Sequence, residues 1–123
     1  VRALIRLNLP LPPTVNHGHR PNGRGGRLLT DKAKAFREIV WLAWVQQPHR
    51  RTIEGPVLLK VELTPANKAR FDIDNRLKHL LDALQNCLVF NDDHQITDIW
   101  LRKVDPKRPG GCVVEITDVA RTR

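Results

Sequence analysis

Apolar and polar residues alternate in several short runs of the chain and follow helical spacing in two longer ones. Ile5, Leu7 and Leu9 alternate with Arg6 and Asn8, which predicts a half-buried strand over residues 3–9. Val57, Leu59, Val61 and Leu63 predict a second strand over 57–63, with Lys60 and Glu62 facing out. Residues 96–104 and 112–117 read as two more strands, and the Pro-Gly turn Asp105–Gly111 between them predicts an antiparallel hairpin. Phe36, Val40, Ala43 and Trp44 share one face of a helix that opens at Thr30 or Asp31 and closes at Pro48. Trp41 lies off that line, a place for covering a neighbouring surface or a subunit contact, although core is the default for both tryptophans of this helix. A second helix, from about Asn75 to Cys87 or Leu88, carries the stripe Leu77, Leu80, Leu81, Leu84 and Leu88. These elements predict an α/β fold: one domain over 1–123, with a mixed or antiparallel sheet of about four main strands and two helices packed on it.

Composition adds a partner to this outline. At 123 residues, 41% of them apolar, the chain can bury a core without staples. Twenty-one Lys and Arg against thirteen acids give a net charge of +8 and a pI near 10.3. A polyanion is the expected partner, and nucleic acid comes before membrane because no basic amphipathic helix is apparent. Aromatic residues make up only 5%, too few for a base-stacking platform. No apolar run is long enough to span a membrane, and Arg2, Arg6 and Asn8 break any signal-peptide pattern. The chain opens at Val1 and contains no methionine, the pattern of a trimmed or misread start. Cys87 and Cys112 sit 25 apart with no paired motif; both read as buried free thiols, which fits a reducing cytoplasm. Residues 16–29 form a glycine-rich basic loop or loose hairpin, a flexible arm in which Arg20, Arg24 and Arg27 can grip phosphates. His17-Gly-His19 lacks further clustered ligands and is set aside as a metal site.

Candidate chemistry gathers in Arg70-Phe-Asp-Ile-Asp-Asn-Arg-Leu-Lys78 and in Asn91-Asp-Asp93. Asp72 and Asp74 point the same way if the backbone between them is extended. Asp74 is also placed to cap the second helix, with Lys78 and Asp82 following it at i+4 and i+8. Two carboxylates about 4 Å apart repel by roughly 4 kcal/mol at an effective dielectric near 20. Separation at the surface, protonation or a hard divalent cation relieves that cost. Taken singly, the acids read as a cap, a strand end and a turn. Taken with Lys78, they favour a metal-dependent site. Asn75 is a candidate for steadying the ligands, Asp92 reads as a further ligand, a steadying partner or a turn residue, and Asp82 lies too far down the helix to share their ion.

Pro10-Leu-Pro-Pro-Thr-Val-Asn16, Asp72-x-Asp74-Asn75-x-x-Lys78-x-x-x-Asp82-Ala-Leu and Asp92-Asp93-x-Gln95-Ile96, in this order, resemble the RusA family of Holliday junction resolvases. The resemblance implies a small homodimeric α/β endonuclease, often phage- or prophage-encoded, that cuts four-way DNA junctions with Mg²⁺ or Mn²⁺. It implies Asp72, Asp74 and Asp93 as metal-binding carboxylates and Lys78 as the catalytic lysine. Asn16 and Arg70 then join Arg20, Arg24 and Arg27 as DNA contacts. Family members often carry a basic residue directly before the first aspartate; here Phe71 stands there and Arg70 one position earlier. Two symmetric cuts ask for two sites, so a two-fold dimer is expected, with Trp41 or Trp100 at its interface. Two alternatives remain at this stage. One is a basic DNA- or RNA-binding protein that keeps the fold without catalysis. The other is a nucleotide-sugar transferase using Asp72-x-Asp74, for which the chain is too short to hold the nucleotide domain.

Overall fold

The structure, a computed structural model, describes residues 4–15, 19–21, 27–48 and 50–121. In chain order it contains β1 (Leu4–Leu9), β2 (His19–Pro21), β3 (Arg27–Leu29), α1 (Asp31–Val45), β4 (Val57–Thr64), α2 (Leu77–Asn86), β5 (Ile96–Lys103) and β6 (Gly111–Asp118). Short 3₁₀ turns, Ile73–Arg76 and Asp93–Gln95, precede α2 and β5, and a third, Val119–Arg121, follows β6.

Alternation does what it predicts in the sheet. Val57, Leu59, Val61 and Leu63 of β4 are buried, as are Leu7 and Leu9 of β1 and Cys112, Val114 and Ile116 of β6. Phe36, Val40 and Trp44 of α1 and Leu80, Ala83 and Leu84 of α2 close the same core. Each such side chain contributes about 1.5–3 kcal/mol on full burial, which holds the two helices to one face of the sheet. Thr30 caps α1, its hydroxyl accepting from the Ala33 amide at 3.3 Å, with Asp31 in the first turn. Trp44 is buried, but Trp41 is exposed, together with Ile39 and Leu42; the expectation of a core position for Trp41 is corrected. It follows Val40 directly, about 100° round the helix from an inward stripe already filled by Phe36, Val40 and Trp44.

The strand order β1-β6-β4-β5 corrects a second expectation. β5 and β6 do not form a hairpin. β5 pairs with β4 in parallel, and β6 lies between β1 and β4, antiparallel to both. The segment between them steps over the end of β4, where the Val104 amide donates to Leu63 and the Lys107 amide to Pro65. Gly110 makes the return possible: it has φ +84°, and a Cβ there would stand 3.0 Å from the Thr64 carbonyl oxygen. The gain is geometric. β6 lies between two strands and buries its apolar residues in the middle of the sheet.

β2 and β3 pair antiparallel, with Arg20 opposite Leu28 and Pro21 opposite Arg27, so the loose-hairpin form of the basic segment is present at its base. The face of the main sheet away from the helices is polar. Lys60 lies 5.5 Å from the Trp100 ring, Arg102 pairs with Glu62 at 2.6 Å, and Arg6 faces Glu115 at 3.9 Å. Both cysteines are free and buried; burial raises the Cys87 thiol and pushes Cys112 up to about 12.

Candidate active site

The acidic motif is presented by an in-out alternation just before α2. Phe71 and Ile73 pack against the core, while Asp72 and Asp74 are exposed. Asp72 has extended backbone, φ −94° and ψ 117°, and stands at the cap of the 3₁₀ turn Ile73–Arg76. Its side chain makes no capping hydrogen bond; it faces Arg70, whose Nη2 is 3.6 Å away. Asp74 lies inside the first turn, so the expected N-cap role for Asp74 is corrected: the cap is Asp72 and α2 proper begins at Leu77. The tighter turn forms because the Asn75 amide donates back to the Asp72 carbonyl at 3.3 Å, an i→i+3 bond. Asn75 thus steadies the turn through its backbone.

Behind this turn Arg76 reaches across the fold. Its Nη1 donates to the Pro12 carbonyl at 2.7 Å, and its guanidinium lies 4.6 Å from the centre of the Phe71 ring. Lys78, in the first turn of α2, is exposed and pairs with Asp82 at 3.2 Å. A lysine four residues before an acid is the weaker order for such a pair, and an exposed pair is worth about 0.2–0.5 kcal/mol at most. Little free energy therefore fixes Lys78 in this pair.

Asp92 and Asp93 are placed by two glutamines. Asp92 caps the 3₁₀ turn Asp93–Gln95, accepting from the His94 amide at 3.0 Å, and the Gln95 side chain closes the reciprocal capping box. The hydrogen bonds from the backbone and side chain of His94 hold the Asp92 carboxyl below its ordinary range. Gln95 Oε1 accepts from the Asn91 and Asp92 amides, while its Nε2 donates to the Ile53 and Gly55 carbonyls. Gln85 of α2 accepts from the Asp93 amide at 2.9 Å. The acidic turn is thus bolted to the segment before β4 on one side and to α2 on the other. Asp92 serves as the cap of this turn.

Asp98 was not singled out by sequence reasoning. With Asp93, Leu81 and Ile96 it lines a shallow cleft of about 250 Å³. A register shift between Val57 and Leu58 makes Thr97 an extra residue in β5, and such a bulge re-aims the side chain that follows. A bulge leaves no mark in the alternation of so polar a strand. Gln95 did carry a signal, since an Asp followed three residues later by Gln is the pattern of a capping box.

The turn bearing Asp74 packs against β5, and the turn bearing Asp93 packs against α2, so both acidic segments border the α2–β5 side of the molecule. Among the described residues, no three of His, Cys, Asp and Glu are grouped closely enough to hold an ion. Asp72, Asp74 and Asp93 are therefore separate exposed carboxylates on neighbouring turns, hard oxygen donors of the kind that suits a divalent cation. Of the residues expected to contact DNA, Asn16 and Arg24 lie outside the described residues. Arg20 and Arg27 lie on the paired strands β2 and β3, and Arg70 is exposed beside Asp72. Among the described residues, no helix is long and apolar enough to cross a membrane.

Comparison with known proteins agrees with the family resemblance. The family described as endodeoxyribonuclease RusA matches over residues 10–117. The crossover junction endodeoxyribonuclease RusA of Escherichia coli K12 is 27% identical over 113 residues, covering 92% of this chain and 93% of its own. That of Shigella sonnei Ss046 is likewise 27% identical, and that of Enterobacteria phage 82 is 28% identical over 122 residues, each with the same shares covered. A family match running from the proline motif to Thr117 in β6 takes in the sheet apart from β1, both helices and both acidic turns, and the chain belongs to the RusA family of endodeoxyribonucleases.

Proposed function

We propose that this chain is a metal-dependent endonuclease that resolves four-way DNA junctions by paired phosphodiester hydrolysis. The observation that carries the reading is the family match over residues 10–117, which spans the outward-facing Asp72 and Asp74 on a chain of net charge +8. Asp72, Asp74 and Asp93 are the proposed ligands of Mg²⁺, with Mn²⁺ as a substitute. When bound, such an ion supplies an activated water and neutralises charge on the phosphorane. Lys78, paired with Asp82 at the surface, turns to the scissile phosphate and adds positive charge where negative charge develops. Arg20, Arg24, Arg27, Arg70 and Asn16 contact the DNA backbone.

Two symmetric cuts call for two copies of the site, and an isologous homodimer supplies them. The exposed Ile39, Trp41 and Leu42 on α1, and the exposed Trp100 on the open sheet face, are the two candidate contact surfaces. The proposed place of action is the cytoplasm, where the free thiols Cys87 and Cys112 stay reduced. The second reading, a DNA- or RNA-binding protein without catalysis, draws on the acidic side chains forming no three-ligand group among the described residues.

One assay decides between them. Pure protein is incubated with a synthetic four-way junction in Mg²⁺ or in EDTA and the strands are read on a denaturing gel. Paired symmetric cuts in Mg²⁺ alone support the nuclease. Junction binding without cutting at any Mg²⁺ or Mn²⁺ concentration refutes it in favour of the binding protein.

A further inference from the structure

The proline motif Pro10-Leu-Pro-Pro-Thr14 carries no chemistry of its own, yet it is tied directly to the acidic turn. Pro12 is fully buried, and proline-rich backbone outside a ladder offers carbonyls without strand partners. The donor that meets the Pro12 carbonyl is Arg76, 64 residues further along the chain, at 2.7 Å. A hydrogen bond from a charged guanidinium is among the stronger ones available. The same guanidinium lies over Phe71, 4.6 Å from the ring centre. Phe71 stands immediately before Asp72, and Arg76 stands two residues after Asp74, so the two carboxylates lie between the halves of one clamp. Arg76 also lines, with Pro10, Leu11, Lys32 and Phe36, a cleft of about 370 Å³ between the proline segment and α1. Burial lowers the Arg76 pKa from its usual value, and the group remains a cation at neutral pH.

We propose that Arg76 is a positioning residue. By joining the Pro12 carbonyl to the Phe71 ring it fixes the backbone that presents Asp72 and Asp74, and it sets that turn against the chain entering the β2–β3 hairpin. The Phe71 ring is the surface on which Arg76 rests. Lysine cannot replace it, because an ammonium lacks the planar fork that donates and stacks at once. The inference rests on the metal-dependent reading of Asp72 and Asp74.

The test uses the full chain as Arg76→Ala, Arg76→Lys and Phe71→Leu. Mn²⁺ binding alone is measured by calorimetry, beside thermal unfolding and single-turnover junction cleavage, all well below the unfolding midpoint. Loss of residues that orient metal ligands commonly costs about 10–100-fold in metal affinity or activity. Arg76→Ala is expected to show that loss in both Mn²⁺ affinity and rate, Arg76→Lys to recover little of it, and Phe71→Leu to fall in the same direction by less. A lower unfolding midpoint with wild-type Mn²⁺ affinity and rate in Arg76→Ala would mean a merely structural role and would overturn the proposal. If Arg76→Ala does not fold, Arg76→Lys decides: wild-type Mn²⁺ affinity in that variant also overturns it. Wild-type protein that neither binds Mn²⁺ nor cuts junctions refutes the nuclease reading itself, an outcome separate from failure of the Arg76 proposal.

Discussion

Replacing Gln95 by Ala tests how the acidic turn is built. The Gln95 side chain accepts from the Asn91 and Asp92 amides, both at 2.9 Å, and donates to the Ile53 and Gly55 carbonyls at 2.9 and 3.0 Å. The two accepted bonds are exposed, so water replaces much of them, at about 0.5 kcal/mol each. The two donated bonds are partly buried, and losing them costs about 1 kcal/mol each. The sum is about 3 kcal/mol, a large share of the stability of a domain this size. It corresponds to a fall of about 10 °C in the unfolding midpoint. Gln95→Glu separates the two halves, since a carboxylate still accepts from both amides but donates to neither carbonyl. It is expected to lose about 2 kcal/mol or more. Urea unfolding of the three proteins at neutral pH measures this directly. A loss below about 1 kcal/mol for Gln95→Ala, or wild-type stability for Gln95→Glu, would refute the claim that this side chain bolts the turn in place. Cleavage should fall in both variants even where they are folded, because Asp93 is positioned by the same turn.

Asp72→Asn and Asp74→Asn should each abolish metal-dependent cleavage while gel-shift affinity for a junction persists or rises, since a negative charge facing phosphate is removed. Lys78→Ala should cut poorly yet bind Mn²⁺ like wild type, and Asp82→Asn, which only frees Lys78 from a weak exposed pair, should cleave within a few-fold of wild type. Junction affinity should drop with log salt by about 0.9 per phosphate contact, and Arg20, Arg24 and Arg27 changed together to Ala should flatten that slope. The buried Cys112 thiol, pushed up to about 12 from 9.0, keeps its proton in the folded state after the unfolded chain has lost it. Its contribution to stability is therefore complete below about pH 9 and is lost as pH rises towards 12, so Cys112→Ala should flatten the decline of the urea midpoint across that window.

Local patterns along the chain determined the elements. The alternation of Val57, Leu59, Val61 and Leu63 made β4, the leucine stripe made α2, and Thr30 capped α1, each within the reach of a few residues. The acidic positions were legible for the same reason: Phe71 and Ile73 turn inward, so Asp72 and Asp74 turn out. Asp92 and Gln95 formed the capping box their spacing allows. Tertiary structure alone decided which strands are neighbours. The turn Asp105–Gly111 looks like a hairpin, but β6 goes between β1 and β4 because its apolar residues are buried most fully in the middle of the sheet. It also decided that the helix opens with a 3₁₀ turn with Asp72 at its N-cap position, that Thr97 is a bulge next to Asp98 on the cleft Asp93 also lines, and that Arg76 finds Pro12. Periodicity reflects forces between near neighbours, whereas pairing, bulges and long-range donors are settled by comparing the burial and hydrogen bonding of whole packings, which no short stretch of sequence contains.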